Sequence, residues 1–277
     1  MINQPLQGEQ VPKYPLSNNM IRDGGYYYLV GDVDDENNHV GDVYRINMKS
    51  GIWECVYKCQ GKDKKNELWT NIPYYLVFDG KKIFTFFSFE DEGYDDDFTP
   101  YSFLKLAAFD VENRRWRTIN TYGDVDHVPN YPMDRGGLDG AFFQMTHYQD
   151  SNNDLIVILS GKFDHKDNYN DLWKLNLSTM TWKNIDNRGS LIPRTFKRFS
   201  MTVSPAGQLF TFGGFIGDPK ERVPCSSRVH SVWITIPKLS DICWESILHY
   251  LPGLVSMSQE QVGPKSWYFM EIFPIEN

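Results

Sequence analysis

Cysteine is scarce: four residues, Cys55, Cys59, Cys225 and Cys243, in a chain of 277. Only Cys55 and Cys59 lie close together, and no second Cys/His pair completes the spacing of a structural zinc site. A basic excess is also missing. Lys plus Arg number 28 against 36 Asp plus Glu, a formal charge of −8. That balance repels nucleic-acid phosphates and anionic headgroups, so neither nucleic acid nor membrane is expected as a partner. No apolar run approaches the roughly 20 residues that span a bilayer. The opening Met1-Ile2-Asn3-Gln4-Pro5 has neither a basic nor an apolar region of an export signal. With thiols that lack an oxidising context, this reads as an intracellular protein, cytoplasmic or nuclear.

Catalytic signatures are lacking too. There is no Gly-x-Ser-x-Gly elbow, no phosphate-binding glycine loop and no His-Glu-x-x-His, and the six histidines share no metal spacing. No catalytic residue, metal or cofactor is expected. The acidic groups Asp32, Asp34, Asp35, Glu36 and Glu90, Asp91, Glu92, Asp95, Asp96, Asp97 do not alternate as a calcium loop requires and read as solvated loops.

Alanine is sparse as well, whereas aromatics make up 15% of the chain. Tyr, Phe, Val, Ile and Thr suit pleated, half-buried surfaces, which argues against an all-α fold. Three gapless segments repeat: Val43–Trp53, Leu106–Trp116 and Leu172–Trp182. Each is an alternating apolar stretch with Asp or Asn, a short turn, and a Trp seven residues past an apolar anchor (46 to 53, 109 to 116, 175 to 182). Period-2 alternation followed by turn residues predicts a β-hairpin whose return strand opens on the Trp. Before each hairpin stands a dense apolar run, Tyr26–Val30, Lys82–Phe87 and Leu155–Leu159. Such runs suit strands covered on both faces. A fourth copy begins at Gln208–Gly214, with its hairpin strand at Ser231–Ile236.

About four strands per unit, recurring every 63 residues (Trp53 to Trp116) and then 66 (Trp116 to Trp182), predict an all-β propeller rather than a sandwich. Four blades are expected at 14–57, 68–120, 129–186 and 193–237, in an incomplete or open ring. The propeller would thus occupy 1–237, a helical segment 238–262 and a divergent tail 263–277.

The Gly213-Gly214 doublet after an apolar strand, with hairpin and Trp, resembles the kelch repeat; Val30-Gly31-Asp32, Phe87-Ser88-Phe89 and Leu159-Ser160-Gly161 stand in its place in the other blades. Asn170–Leu177, Ser204–Gly207, Gly213-Gly214 and Val232–Leu239, followed by Asp241–Leu248, are similar to the last blade and exit helix of a kelch family with an Elongin-binding tail. Members of that family have six blades, so this chain would match the final four.

Beyond Pro237 the pattern turns helical. Ser240 is the expected N-cap, Asp241 suits the positive end of the dipole, and Pro252-Gly253 stops the helix. Leu239, Ile242, Cys243, Ile247, Leu248 and Leu251 fall near one face. Leu239, Cys243 and Ile247, at i, i+4 and i+8, resemble an Elongin-binding box, a narrow apolar ridge that enters a groove on the partner. The resemblance implies docking to Elongin B/C and, through Pro252 and Leu254, a cullin-2-type scaffold. Gly263-Pro264 interrupts the helix that would follow.

The propeller would take a protein substrate through its loops, and Arg135, Arg194 and Arg198, each preceding an inner strand, could grip a terminal carboxylate by a bidentate fork. The implied function is the substrate-recognition subunit of an Elongin–cullin ubiquitin ligase. The alternative is a kelch scaffold that recruits no ligase. A third reading is a truncated copy whose open edge self-associates.

Overall fold

A computed structural model describes residues 11–12, 20–33, 39–59, 73–87, 103–132, 144–160, 171–185, 197–215, 226–235, 238–251 and 253. The described residues form fifteen strands in four antiparallel sheets, followed by one helix. Blade one holds β1 (Ile21–Asp23), β2 (Tyr26–Val33), β3 (His39–Asn47) and β4 (Trp53–Tyr57). Blade two holds β5 (Pro73–Phe78), β6 (Lys82–Phe87), β7 (Lys105–Asp110) and β8 (Arg115–Asn120). Blade three holds β9 (Gln144–Gln149), β10 (Leu155–Ser160), β11 (Leu172–Asn176) and β12 (Thr181–Asn184). Blade four holds β13 (Lys197–Val203), β14 (Gln208–Phe215) and β15 (Val229–Trp233). The strands of each sheet lie side by side in chain order. This is the all-β, kelch-like propeller architecture, open and followed by a short C-terminal helix.

The repeated anchors become cross-strand neighbours. Tyr27, Ile46 and Trp53 stand in one row across β2, β3 and β4. Ile83, Phe109 and Trp116 make the same row in blade two, and Val157, Leu175 and Trp182 in blade three. The constant gap of seven in the sequence is this shared register. Turn chemistry fixes it: Asn47 and Asn176 each accept backbone N–H bonds two and three residues on, and Asp110 accepts the Asn113 N–H.

The core lies between blades. One cluster joins Tyr28, Val30, Val43 and Val56 of blade one to Leu76, Ile83 and Phe109 of blade two. A second joins Phe84, Phe86, Leu106 and Ala108 to Met145, Val157, Leu159, Trp173 and Trp182 of blade three. A third joins Tyr148, Ile156 and Ile158 to Phe199, Leu209 and Ile234 of blade four. Second strands are therefore covered on both sides: Ile83 to Phe86 and Ile156 to Ser160 are buried without interruption.

Blade four departs from its expected pattern. Its hairpin strand is Val229–Trp233 rather than Ser231–Ile236, and the sheet has three described strands. A Trp seven residues past the anchor, which stands first or second in β4, β8 and β12, has no counterpart after Val232, so the signal for a return strand is missing. The β13–β14 turn depends on Gly207, whose φ is +84° and whose ideal Cβ would collide with the Thr235 side chain. Gly207→Ala should cost about 1–2 kcal/mol from the left-handed backbone alone, read as a drop in melting temperature. An unchanged melting temperature would mean the turn is not so held.

Candidate docking helix

The helix α1 (Leu239–Tyr250) starts two residues earlier than expected. The Lys238 carbonyl accepts the first intrahelical bond, from the Ile242 N–H at 3.2 Å, so the cap position is Lys238 and Ser240 lies in the first turn. The Ser246 hydroxyl donates back to the Ile242 carbonyl at 2.9 Å, and His249 in the last turn complements the dipole. Leu251 N–H still reaches the Ile247 carbonyl at 2.8 Å, carrying the last turn to the expected stop at Pro252-Gly253.

α1 is not packed extensively on any described strand. Leu239 is 74% exposed, and Ile242, Cys243, Tyr250 and Leu251 are exposed as well. Ile247 and Leu248 are half-buried. Leu239, Cys243 and Ile247 thus form a ridge one residue wide, with its N-terminal two thirds in solvent.

The other predicted residues are less informative. Arg198 stands inside β13, not before it: the innermost strand of blade four begins at Lys197, because the ladder to β14 already pairs Lys197 with Phe215. Arg135, Arg194, Pro252 and Leu254 lie outside the described residues. Among the described residues no group of three potential metal ligands gathers.

Two features escaped the sequence reading. Asp32, assigned to a solvated loop, is 1% exposed. It accepts the Tyr44 hydroxyl at 3.0 Å, and the same hydroxyl lies 3.2 Å from Asp42, itself fully buried. Lys58 pairs with Asp42, and the Cys59 N–H donates to it at 2.7 Å. Burial, helped by the negative field of Asp42 and Asp32, holds the Tyr44 hydroxyl far above its usual pKa, so it remains a donor. The alternation of Asp42 and Tyr44 on one face of β3 was the available signal. The second feature is a latch between blades: Trp116 Nε1 donates to the Gly41 carbonyl at 2.9 Å and Trp182 Nε1 to the Phe103 carbonyl at 3.3 Å, each reaching the preceding blade.

No family model matches the chain. Curated relatives do. Kelch domain-containing protein 10 homolog of Drosophila melanogaster is 29% identical over 221 residues, covering 77% of this chain and 34% of that protein. This chain is kelch-like. Kelch domain-containing protein 10 of Xenopus laevis is 26% identical over 187 residues (68% of the chain, 40% of the relative), and that of Homo sapiens 23% over 226 residues (80% and 44%). The chain spans between a third and a half of the length of these relatives. Kelch-like sequence and blade-stacked sheets together support a protein-interaction module.

Proposed function

We propose that this kelch-like module is the substrate-recognition subunit of an Elongin B/C–cullin-2-type ubiquitin ligase, working in the cytoplasm or nucleus. The propeller holds the substrate, and α1 docks Elongin through Leu239, Cys243 and Ile247. Pro252 and Leu254 then address the cullin. One observation carries the reading: Leu239 and Cys243 stand in solvent on a helix that follows blade four and is not packed extensively on any described strand. Apolar residues at i, i+4 and i+8 make a ridge that buries against a groove without disturbing the propeller. Cys243 is small enough there to let the groove wall approach the helix backbone. For the substrate, Arg135, Arg194 and Arg198 would pair with a peptide's terminal carboxylate.

Co-purification tests the docking. Elongin C should accompany the wild-type chain and be lost on Leu239→Ala with Cys243→Asp, while the melting temperature stays unchanged because both side chains are exposed. Elongin C retained by the double variant would exclude α1 as the docking element. No Elongin C on the wild-type chain would leave the kelch scaffold reading.

A further inference from the structure

One side of α1 is uncharged from end to end. Leu239, Cys243, Ser246 and Tyr250 follow one another at i, i+4, i+7 and i+11, which sets them along one strip of the helix. All four are exposed, Leu239 at 74% and Tyr250 at 79%, with half-buried Ile247 beside them. The strip runs the full length of α1, about 18 Å at a rise of about 1.5 Å per residue. Its one hydroxyl, on Ser246, donates to the Ile242 carbonyl at 2.9 Å. An apolar cover laid over the strip therefore strands no side-chain donor there.

The sequence beyond α1 matches that strip. Residues 254–277 lie outside the described residues. Within them Trp267-Tyr268-Phe269-Met270-Glu271-Ile272-Phe273 holds six large apolar side chains in seven positions and a single charge. No other stretch beyond α1 is as apolar. Thirteen residues separate Gly253 from Trp267. Fully extended they reach about 45 Å at most, more than twice the length of α1. Gly263-Pro264, a pair that redirects a chain, stands just before the segment. Seven residues at about 3.3 Å each cover about 20 Å, the length of the strip. A tie this short holds a ligand at an effective concentration of about millimolar, so weak apolar contacts suffice.

We infer that Trp267–Phe273 lies over Leu239, Cys243 and Tyr250 in the free chain, so that an outside partner must displace it. The tail is then a built-in competitor for the ridge. The contact itself stands apart from the ligase reading; its regulatory meaning rests on α1 being the docking element proposed above. The consequence is an apparent affinity lowered in proportion to the fraction of time the strip is open. The wild-type chain still binds, but less tightly than a chain whose tail is released.

Alkylation of the full chain with N-ethylmaleimide, read cysteine by cysteine by mass spectrometry, makes Cys243 the reporter. Trp267→Asp with Phe269→Asp should speed its labelling at least about tenfold. Leu239→Asn with Tyr250→Asn alters the strip instead of the tail, at two exposed uncharged positions that leave the thiol's own reactivity in place. It should give the same release, and it decides the matter should the tail variant not fold. Labelling of half-buried Cys55 should stay unchanged in both, the mark of an intact blade one. Wild-type protection should also survive dilution, as a contact within one chain does. Equal Cys243 rates in the wild type and the folded variants would overturn the inference. So would protection that fades on dilution, since that belongs to a second copy. Elongin C affinity, measured on the tail variant, keeps the two readings apart. Fast Cys243 with tighter Elongin C supports both, whereas fast Cys243 with no Elongin C bound upholds the covered strip and sinks the docking role.

Discussion

Trp182→Ala is expected to destabilise the protein by about 3–5 kcal/mol, the range for emptying a large aromatic site in a packed core. Trp182 is at 0% exposure in the cluster that blades two and three share. Its ring meets Phe103 edge-on at 5.5 Å, and its Nε1 bonds the Phe103 carbonyl. Its backbone N–H donates to Tyr122 at 2.8 Å, in the segment linking the two blades. Removing the side chain thus opens a cavity and takes one of two donors from the Phe103 carbonyl, which keeps the Thr121 hydroxyl at 2.6 Å. Trp182→Phe separates these terms. It keeps most of the volume, loses the hydrogen bond, and should cost about 1–2 kcal/mol. Denaturant unfolding followed by circular dichroism measures both. A loss for Trp182→Ala within the roughly 0.5 kcal/mol of an ordinary surface change would mean the two blades do not share a core.

The residues that predicted the repeat are those whose role is local. Ile46 and Trp53 announce a hairpin because seven residues of alternating strand and turn bring them opposite each other, and the same arithmetic holds for Phe109 with Trp116 and Leu175 with Trp182. The dense runs around Ile83 and Ile158 likewise announced strands covered on both faces. What the alternation could not convey was the covering partner. Period 2 says that Phe84 and Ile83 point oppositely; only the stacking order says that one meets blade three and the other blade one. The Trp116 and Trp182 latches depend on that order and had no sequence signature.

Boundaries failed for the ordinary reason that local preference is weak there. Ser240 is the better capping residue, yet the helix begins at Leu239 because the chain leaving β15 already lets the Lys238 carbonyl accept the first bond. Arg198 was placed before a strand that in fact includes it, since the β13–β14 ladder extends to Lys197. In blade four the hairpin strand was expected at Ser231–Ile236 and lies at Val229–Trp233. Of the candidate site, the ridge spacing was legible, whereas its exposure was not: an amphipathic helix usually turns its apolar face inward, and α1 leaves Leu239 and Cys243 outside.

Asp32 was misread because a run of acidic residues usually marks solvent. Here one member turns inward, and the consequence can be measured. Lys58→Met should cost about 2 kcal/mol. Removing one partner of a buried ion pair costs roughly 3–5 kcal/mol, and the figure is reduced here because the Lys58 side chain is 56% exposed and water screens it. Asp42 would keep only the Cys59 N–H and a share of the Tyr44 hydroxyl, with Asp32 drawing on the same proton. The pH dependence has a definite sign. Burial alone would lower the lysine pKa, but the hydrogen bond and charge of Asp42 outweigh it and the net shift is upward. A cation whose folded pKa is raised contributes its full stabilisation below the ordinary lysine value of 10.5 and loses it as the pH climbs through the folded value. Wild type and Lys58→Met should therefore differ at neutral pH and converge in strong alkali. Adding Asp42→Asn to Lys58→Met should restore most of the loss, because the Asn oxygen still accepts from Cys59 and no uncompensated charge remains. A neutral Lys58→Met, or a gap that widens with rising pH, would show that the hydrogen bonds from Tyr44 and Cys59 hold Asp42 without help from the cation.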